Sequence, residues 1–143
     1  MPDVSRALLR LADGLEHEGQ AALSEALTFT LSQAKRLSSG METRKDHARK
    51  DHPYARRHGQ IKRPNDNVII NFQTGEFLLA WQMDGPQPDG DGLAGSVFNT
   101  DWKAGLLHAG TAKMLGRPLP EHAALDGAEE LRRVLEQRLS KLF

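Results

Sequence analysis

Apolar residues recur along the first quarter of the chain at the spacing of one helix face. Val4, Leu8, Leu11 and Leu15 fall three and four residues apart, and Leu23, Leu27, Leu31 and Ala34 resume the interval. The pattern predicts a long amphipathic helix over residues 3–38, with Asp3 accepting from the open backbone N–H groups of its first turn. Gly14 and Gly19 each weaken a helix interior by about 1 kcal/mol relative to alanine, which predicts a kink between the two stripes. Ser38, Ser39 and Gly40 then stop the helix. Residues 40–66 hold no sustained apolar period, and Pro53 and Pro64 oppose regular structure, so a long loop is expected.

Two strands follow in this reading. Val68–Phe72 is β-branched and alternating, and Glu76–Met83 is rich in Phe, Leu and Trp. Between them Gln73, Thr74 and Gly75 allow a turn, a bulge or the start of a new element. Asp84–Gly92 is dense in glycine and proline and reads as a flexible hairpin connection, with Leu93–Asn99 the returning strand. The period then changes again. Trp102, Leu106 and Leu107 suit a short helical turn ended by Gly110, and Arg117-Pro-Leu-Pro forms a stiff, extended lead-in to the last helix. Asp126 with Glu129 resembles a capping box, after which Ala128, Leu131, Leu135, Leu139 and Leu142 line one face. Glu129 and Glu130 near its start and Arg138 and Lys141 near its end suit the helix dipole. The predicted fold is α+β: a long N-terminal helix and a C-terminal helix packed on a small antiparallel sheet, with a long basic loop.

Composition sharpens this picture. A chain of 143 residues fits a single domain, residues 1–143. With 38% hydrophobic residues and only eight aromatics the core is lean, which points to surface buried against other subunits. No cysteine is present, so disulfides, thiolate nucleophiles and Cys-based zinc sites are excluded. No apolar run reaches the roughly 20 residues of a membrane span. Met-Pro-Asp-Val lacks the basic-then-apolar order of a secretory signal, and a soluble protein made in the cytoplasm is expected.

Charge is balanced in total but not in place. Between Lys35 and Arg63 lie Lys35, Arg36, Arg44, Lys45, Arg49, Lys50, Arg56, Arg57, Lys62 and Arg63, opposed only by Glu42, Asp46 and Asp51. That segment carries +7 and the remainder −7, so one stretch is built either to meet negative charge or to stay solvated.

Candidate chemistry is sparse. His47, His52 and His58 lie near Asp46 and Asp51, but their spacing matches no metal motif and the surplus positive charge repels a cation. His108 and His122 flank the short C-terminal turn, where packing or hydrogen bonding is the commoner role. No serine sits in a nucleophile elbow and no Gly-rich loop opens a helix, so no catalytic residue, cofactor or metal is assigned. The basic residues Arg44, Lys45, Arg49, Lys50, Arg56, Arg57, Lys62 and Arg63 suit contact with phosphates or an acidic partner. Tyr54 is the only aromatic among them, which disfavours base-stacking recognition.

The C-terminal third carries a longer pattern. Phe98-Asn-Thr-Asp-Trp-Lys-Ala-Gly-Leu-Leu-His-Ala-Gly-Thr, then Lys113-Met-Leu-Gly-Arg-Pro, resembles the head–tail joining and tail-completion (neck) proteins of lambdoid siphophages. Upstream, Gln73-Thr-Gly-Glu-Phe-Leu-Leu-Ala-Trp is similar to that family's Thr-Gly-x-Leu element, and His52-Pro-Tyr-Ala-Arg-Arg-His to a Pro-Tyr-x-Arg-Arg stretch in part of it. Here His108-Ala109 stands where the family has Glu before Gly-Thr, and Trp102-Lys103-Ala104 loosens an aromatic-Ala pair. The resemblance implies a structural virion protein: a homomeric ring, hexamer or dodecamer, at the bacteriophage head–tail junction. Its implied partners are an adjacent head-connector, adaptor or stopper ring, tail-terminator or tail-tube proteins, and packaged DNA through non-specific contact, with no membrane. Thr74, Gly75, Asn99, Trp102, Gly110, Thr111, Arg117 and Pro118 become candidate subunit-interface or turn residues. Gly110 would make a sharp turn, and the Arg117 guanidinium would reach a carboxylate across a seam. The competing reading is a small non-specific DNA-binding protein using residues 44–63; a metal-dependent enzyme built on the histidines is a third.

Overall fold

The computed structural model describes residues 2–41, 69–70, 75–111 and 114–143. Its organising element is α1 (Pro2–Leu37), a single helix that is continuous through Gly14 and Gly19. Lys35 and Arg36 occupy its last turn, where the dipole favours cations. Its terminal carbonyls are met by side chains: the Ser38 hydroxyl donates to Ala34 O at 2.8 Å and the Ser39 hydroxyl to Lys35 O at 2.7 Å.

Of the expected strand Val68–Phe72 only Ile69 and Ile70 are described, and they form no strand. They lie against the end of α1, where Ile70 N donates to Leu37 O and accepts through its own carbonyl from Gly40 N. The strand expected from Glu76 begins later. α2 (Glu76–Leu79) is a helical turn entered from Gly75 at φ +86°, and β1 (Trp81–Asp89) follows it. The reason is a spacing of four: a helical turn carries Phe77 and Trp81 to the same side, where both are buried.

β1 pairs antiparallel with β2 (Gly92–Asn99), in register from Trp81↔Asn99 to Asp84↔Ser96. The ladder shifts across Gly85 and the cis-linked Pro86, then resumes from Gln87↔Ala94 to Asp89↔Gly92. The segment expected to be a flexible connection is therefore mostly ladder, closed by a turn at Gly90–Asp91 with Gly90 at φ +59°.

α3 (Ala104–Ala109) is the expected short helix. Gly110, expected to make a sharp turn, instead opens β3 (Gly110–Thr111), which pairs with β4 (Met114–Leu115) as Gly110↔Leu115 and Thr111↔Met114. The last helix, α4 (Leu119–Leu139), begins seven residues before the expected cap at Asp126. Pro118 and Pro120 explain the early start. A fixed φ suits the residues opening a helix, and the missing N–H costs nothing in the first turn. Asp126 is thus interior, with its carboxylate 3.8 Å from His122 Nε2. The buried face is Leu119, Ala123, Gly127 and Val134; Leu131, Leu135 and Leu139 are half-buried and Ala128 is exposed.

The fold is α+β, with α1 as the hub. α4 packs along it, and the hairpin lies across its second half. Ala34, Leu37, Ile70, Phe77, Trp81, Ala104, Leu119 and Ala123 form the central cluster. Arg138 pins the far end of α4 to α1, bonding Glu18 at 2.9 Å and also Glu25. No helix among the described residues is long and apolar enough to cross a membrane.

Candidate functional site

Residues 98–109 and 116–118 form one corner, built where the end of β2 meets α2, α3 and the lead-in to α4. Asn99 ties it together: its side-chain amide donates to Phe77 O at 2.9 Å, and its Oδ1 accepts from Asp101 N at 2.8 Å. The Asp101 carboxylate in turn accepts from Lys103 N at 2.8 Å, which sets the turn before α3. Thr100 N donates to Ala80 O at 3.1 Å, extending the ladder past its last paired residues.

Inside the corner three rings meet. Trp81 and His108 stack with centroids 6.0 Å apart and planes 29° apart, and Phe77 meets both edge-on. Burial pushes the His108 pKa below its ordinary value, with the nearby Glu121 carboxylate pulling weakly the other way. Its Nε2 is buried and finds no hydrogen-bond partner among the described residues. The Trp81 indole N–H donates to Ser38 Oγ at 2.7 Å, linking the corner to the end of α1.

These contacts decide what several candidate residues do. Asn99 is spent on internal bonds, and Gly75 supplies the left-handed residue from which α2 starts. Arg117, expected to reach outward across a seam, is only 3% exposed, and its backbone N–H donates to Leu107 O at 2.9 Å. It is a residue of the interior because the lead-in to α4 is hydrogen-bonded back onto α3. Pro118 caps α4, and Gly110 and Thr111 belong to the β3–β4 pair. Trp102 alone of the set presents a large apolar side chain outward, 78% exposed. Thr74 and the whole basic set Arg44, Lys45, Arg49, Lys50, Arg56, Arg57, Lys62 and Arg63 lie outside the described residues, as do His47, His52 and His58. Among the described residues no three His, Asp or Glu side chains converge on a point that would hold a metal ion.

A second feature went unanticipated. α4 and the hairpin both rest on α1 and leave an apolar cleft of about 280 Å³ between them. Leu23, Leu27 and Thr30 of α1 form its floor, Ala124, Ala128 and Leu131 one wall, and Gly95–Val97 the other. The sequence signal was the run of small residues Ala123, Ala124, Gly127 and Ala128, which is also what an unremarkable helix contact looks like.

Comparison with protein-family models, with curated proteins and with solved structures gives no match for this chain.

Proposed function

We propose that the chain is a structural virion protein that forms a ring at the bacteriophage head–tail junction and joins the head connector to the tail. The observation that carries this reading is the amount of apolar surface left uncovered on a small chain: Val4, Leu8, Leu9, Leu79, Trp102 and Leu125 are all well exposed. Val4 and Leu8 stand one helical turn apart on α1, and apolar side chains clustered in this way form patches of the kind that other subunits cover. The order of motifs from Gln73 to Pro118 supports the same assignment through its resemblance to siphophage neck proteins. Within that segment Trp102 is the residue placed to anchor a neighbour, since a large aromatic at a contact centre contributes more than its share of binding energy.

In this reading the basic segment meets the phosphates of DNA in the channel or the acidic face of an adjoining ring, contacting charge without reading bases. Electron microscopy of virions tests the assignment, with a ring of this chain expected at the neck. Particles carrying Arg56→Ala/Arg57→Ala should package DNA and fail to join tails. Virions without the chain would refute the proposal.

The concentration of +7 between residues 35 and 63 favours a second reading, a small non-specific DNA-binding protein. It requires the isolated monomer to bind duplex DNA with affinity falling steeply as salt rises. Absence of binding by the monomer removes it.

A further inference from the structure

An aspartate followed by glycine carries a reaction in its own backbone. The glycine amide nitrogen attacks the aspartate Cγ, water leaves from the protonated carboxyl, and a cyclic imide forms. Water then reopens one of the two imide carbonyls. One opening restores aspartate; the other gives isoaspartate, whose main chain runs through the former side-chain carboxyl and is one methylene longer. Glycine favours the closure because it has no Cβ to hinder the approach. The chain holds five such steps: Asp13–Gly14, Asp84–Gly85, Asp89–Gly90, Asp91–Gly92 and Asp126–Gly127. Sequence makes them equivalent, and the fold does not.

Four of them are held. Gly14 and Gly127 are interior residues of α1 and α4, where the backbone N–H is committed to a carbonyl one turn back. Gly85 lies mid-hairpin with its backbone pressed against β2. A Cβ on it would sit 2.8 Å from Ala94 O, and paired residues flank it at Asp84↔Ser96 and Gln87↔Ala94. Gly92 pairs with Asp89 across the two-residue turn, so its N–H belongs to the pair that closes the hairpin.

Asp89–Gly90 is different. Gly90 is a turn residue at φ +59°, so its N–H lies outside the ladder, and a Cβ there would meet nothing within 4 Å. Asp89 is exposed, and its carboxylate has no hydrogen bond or ion pair among the described residues. Bringing the Asp89 carboxyl carbon and the Gly90 nitrogen together disturbs only the closing pair. Three pairs alone, Gln87↔Ala94, Pro88↔Leu93 and Asp89↔Gly92, separate the turn from the shift in the ladder, so this end opens most readily.

We propose that Asp89 is a modification site at which the chain converts to isoaspartate through Gly90, while the other four steps stay intact in the folded molecule. The added methylene falls in the residue that pairs with Gly92. Conversion therefore unlocks the tip of the hairpin and leaves a free α-carboxylate on an exposed turn, the group that isoaspartate-directed methyltransferases esterify. The site stands apart from the ring reading.

Ageing the purified full chain in mildly acidic buffer at physiological temperature tests this, with methyl labelling by an isoaspartate methyltransferase and peptide mapping by mass spectrometry to locate the product. Isoaspartate is expected at Asp89 at least about tenfold faster than at any of the other four, because each of those needs local opening of a bonded amide or a packed strand first. In urea the five should react at similar rates, which assigns the selectivity to the fold. Asparagine suits the same turn and reacts by the same attack with loss of ammonia, so Asp89→Asn and Asp91→Asn give a second readout in neutral buffer. With unchanged circular dichroism, Asp89→Asn should deamidate at least about tenfold faster than Asp91→Asn while folded. Isoaspartate appearing first at another of the five steps overturns the proposal. So does a folded chain that gains none at Asp89 while the urea-treated chain does, or equal deamidation of the two folded variants.

Discussion

Ser38 does two jobs with one hydroxyl. It donates to Ala34 O at the end of α1 and accepts from the Trp81 indole 43 residues away. Ser38→Ala leaves a buried indole N–H without its acceptor, and such a loss costs about 1–3 kcal/mol. Urea denaturation should show a lower midpoint with an unchanged slope. His108 gives the corner a pH dependence whose sign follows from its environment. Because burial lowers its pKa in the folded chain, the unfolded chain takes up the proton more readily. The stabilising contribution of neutral His108 is therefore complete above its ordinary pKa of 6.5 and declines as pH falls from there toward the folded value. Thermal melts of His108→Phe, which keeps a ring against Trp81, should lose that slope; an unchanged slope would assign the effect to another group.

At the scale of elements, the contact between α1 and α4 depends on Gly127. A Cβ there would fall well inside van der Waals contact of Thr30 Oγ1, whose hydroxyl is itself held by donation to Ala26 O at 2.8 Å. Gly127→Ala should destabilise the chain by about 1–3 kcal/mol although alanine is the better helix former. Thr30→Ala in the same chain should restore most of the loss, since the clashing atom is gone and the propensity gain remains. Calorimetry of the two single variants and the double variant reads this directly, and additive losses would show that the two residues do not meet.

For the whole molecule, buried and exposed leucines should separate cleanly. Leu119 is fully buried where the corner joins α4, and Leu119→Ala should cost about 2–5 kcal/mol. Leu8→Glu, at a side chain 61% exposed, should change monomer stability by no more than about 0.5 kcal/mol. Denaturation of both variants under dilute conditions checks the contrast. A chain of zero net charge that is +7 in one segment and −7 elsewhere should also associate through opposed surfaces. Raising salt well past the point where the Debye length falls to about 8 Å should weaken assembly, as light scattering would register.

The helices could be read from the chain by itself, because an amphipathic period repeated over many turns is a local signal: α1 differs by a residue at each end from the span its pattern predicts. The returning strand and the short helix before Gly110 were legible from glycines that bound them, Gly92 before the one and Gly110 after the other. The stretch Glu76–Leu79 was not, since a single turn is too short to show a period, and its helical form rests on Gly75 together with the burial of Phe77 and Trp81 against distant residues. The start of α4 was misplaced because a capping pair at Asp126 and Glu129 competes in sequence with prolines that open a helix, and packing of Leu119 decides between them. Asn99 and Arg117 stood out in sequence as contact residues, yet only tertiary structure revealed that Asn99 holds the corner from within and that Arg117 is buried inside it. The cleft, the aromatic stack and the Trp81–Ser38 bond join residues far apart in the chain, and such contacts exist only once the hairpin and α4 are laid on α1.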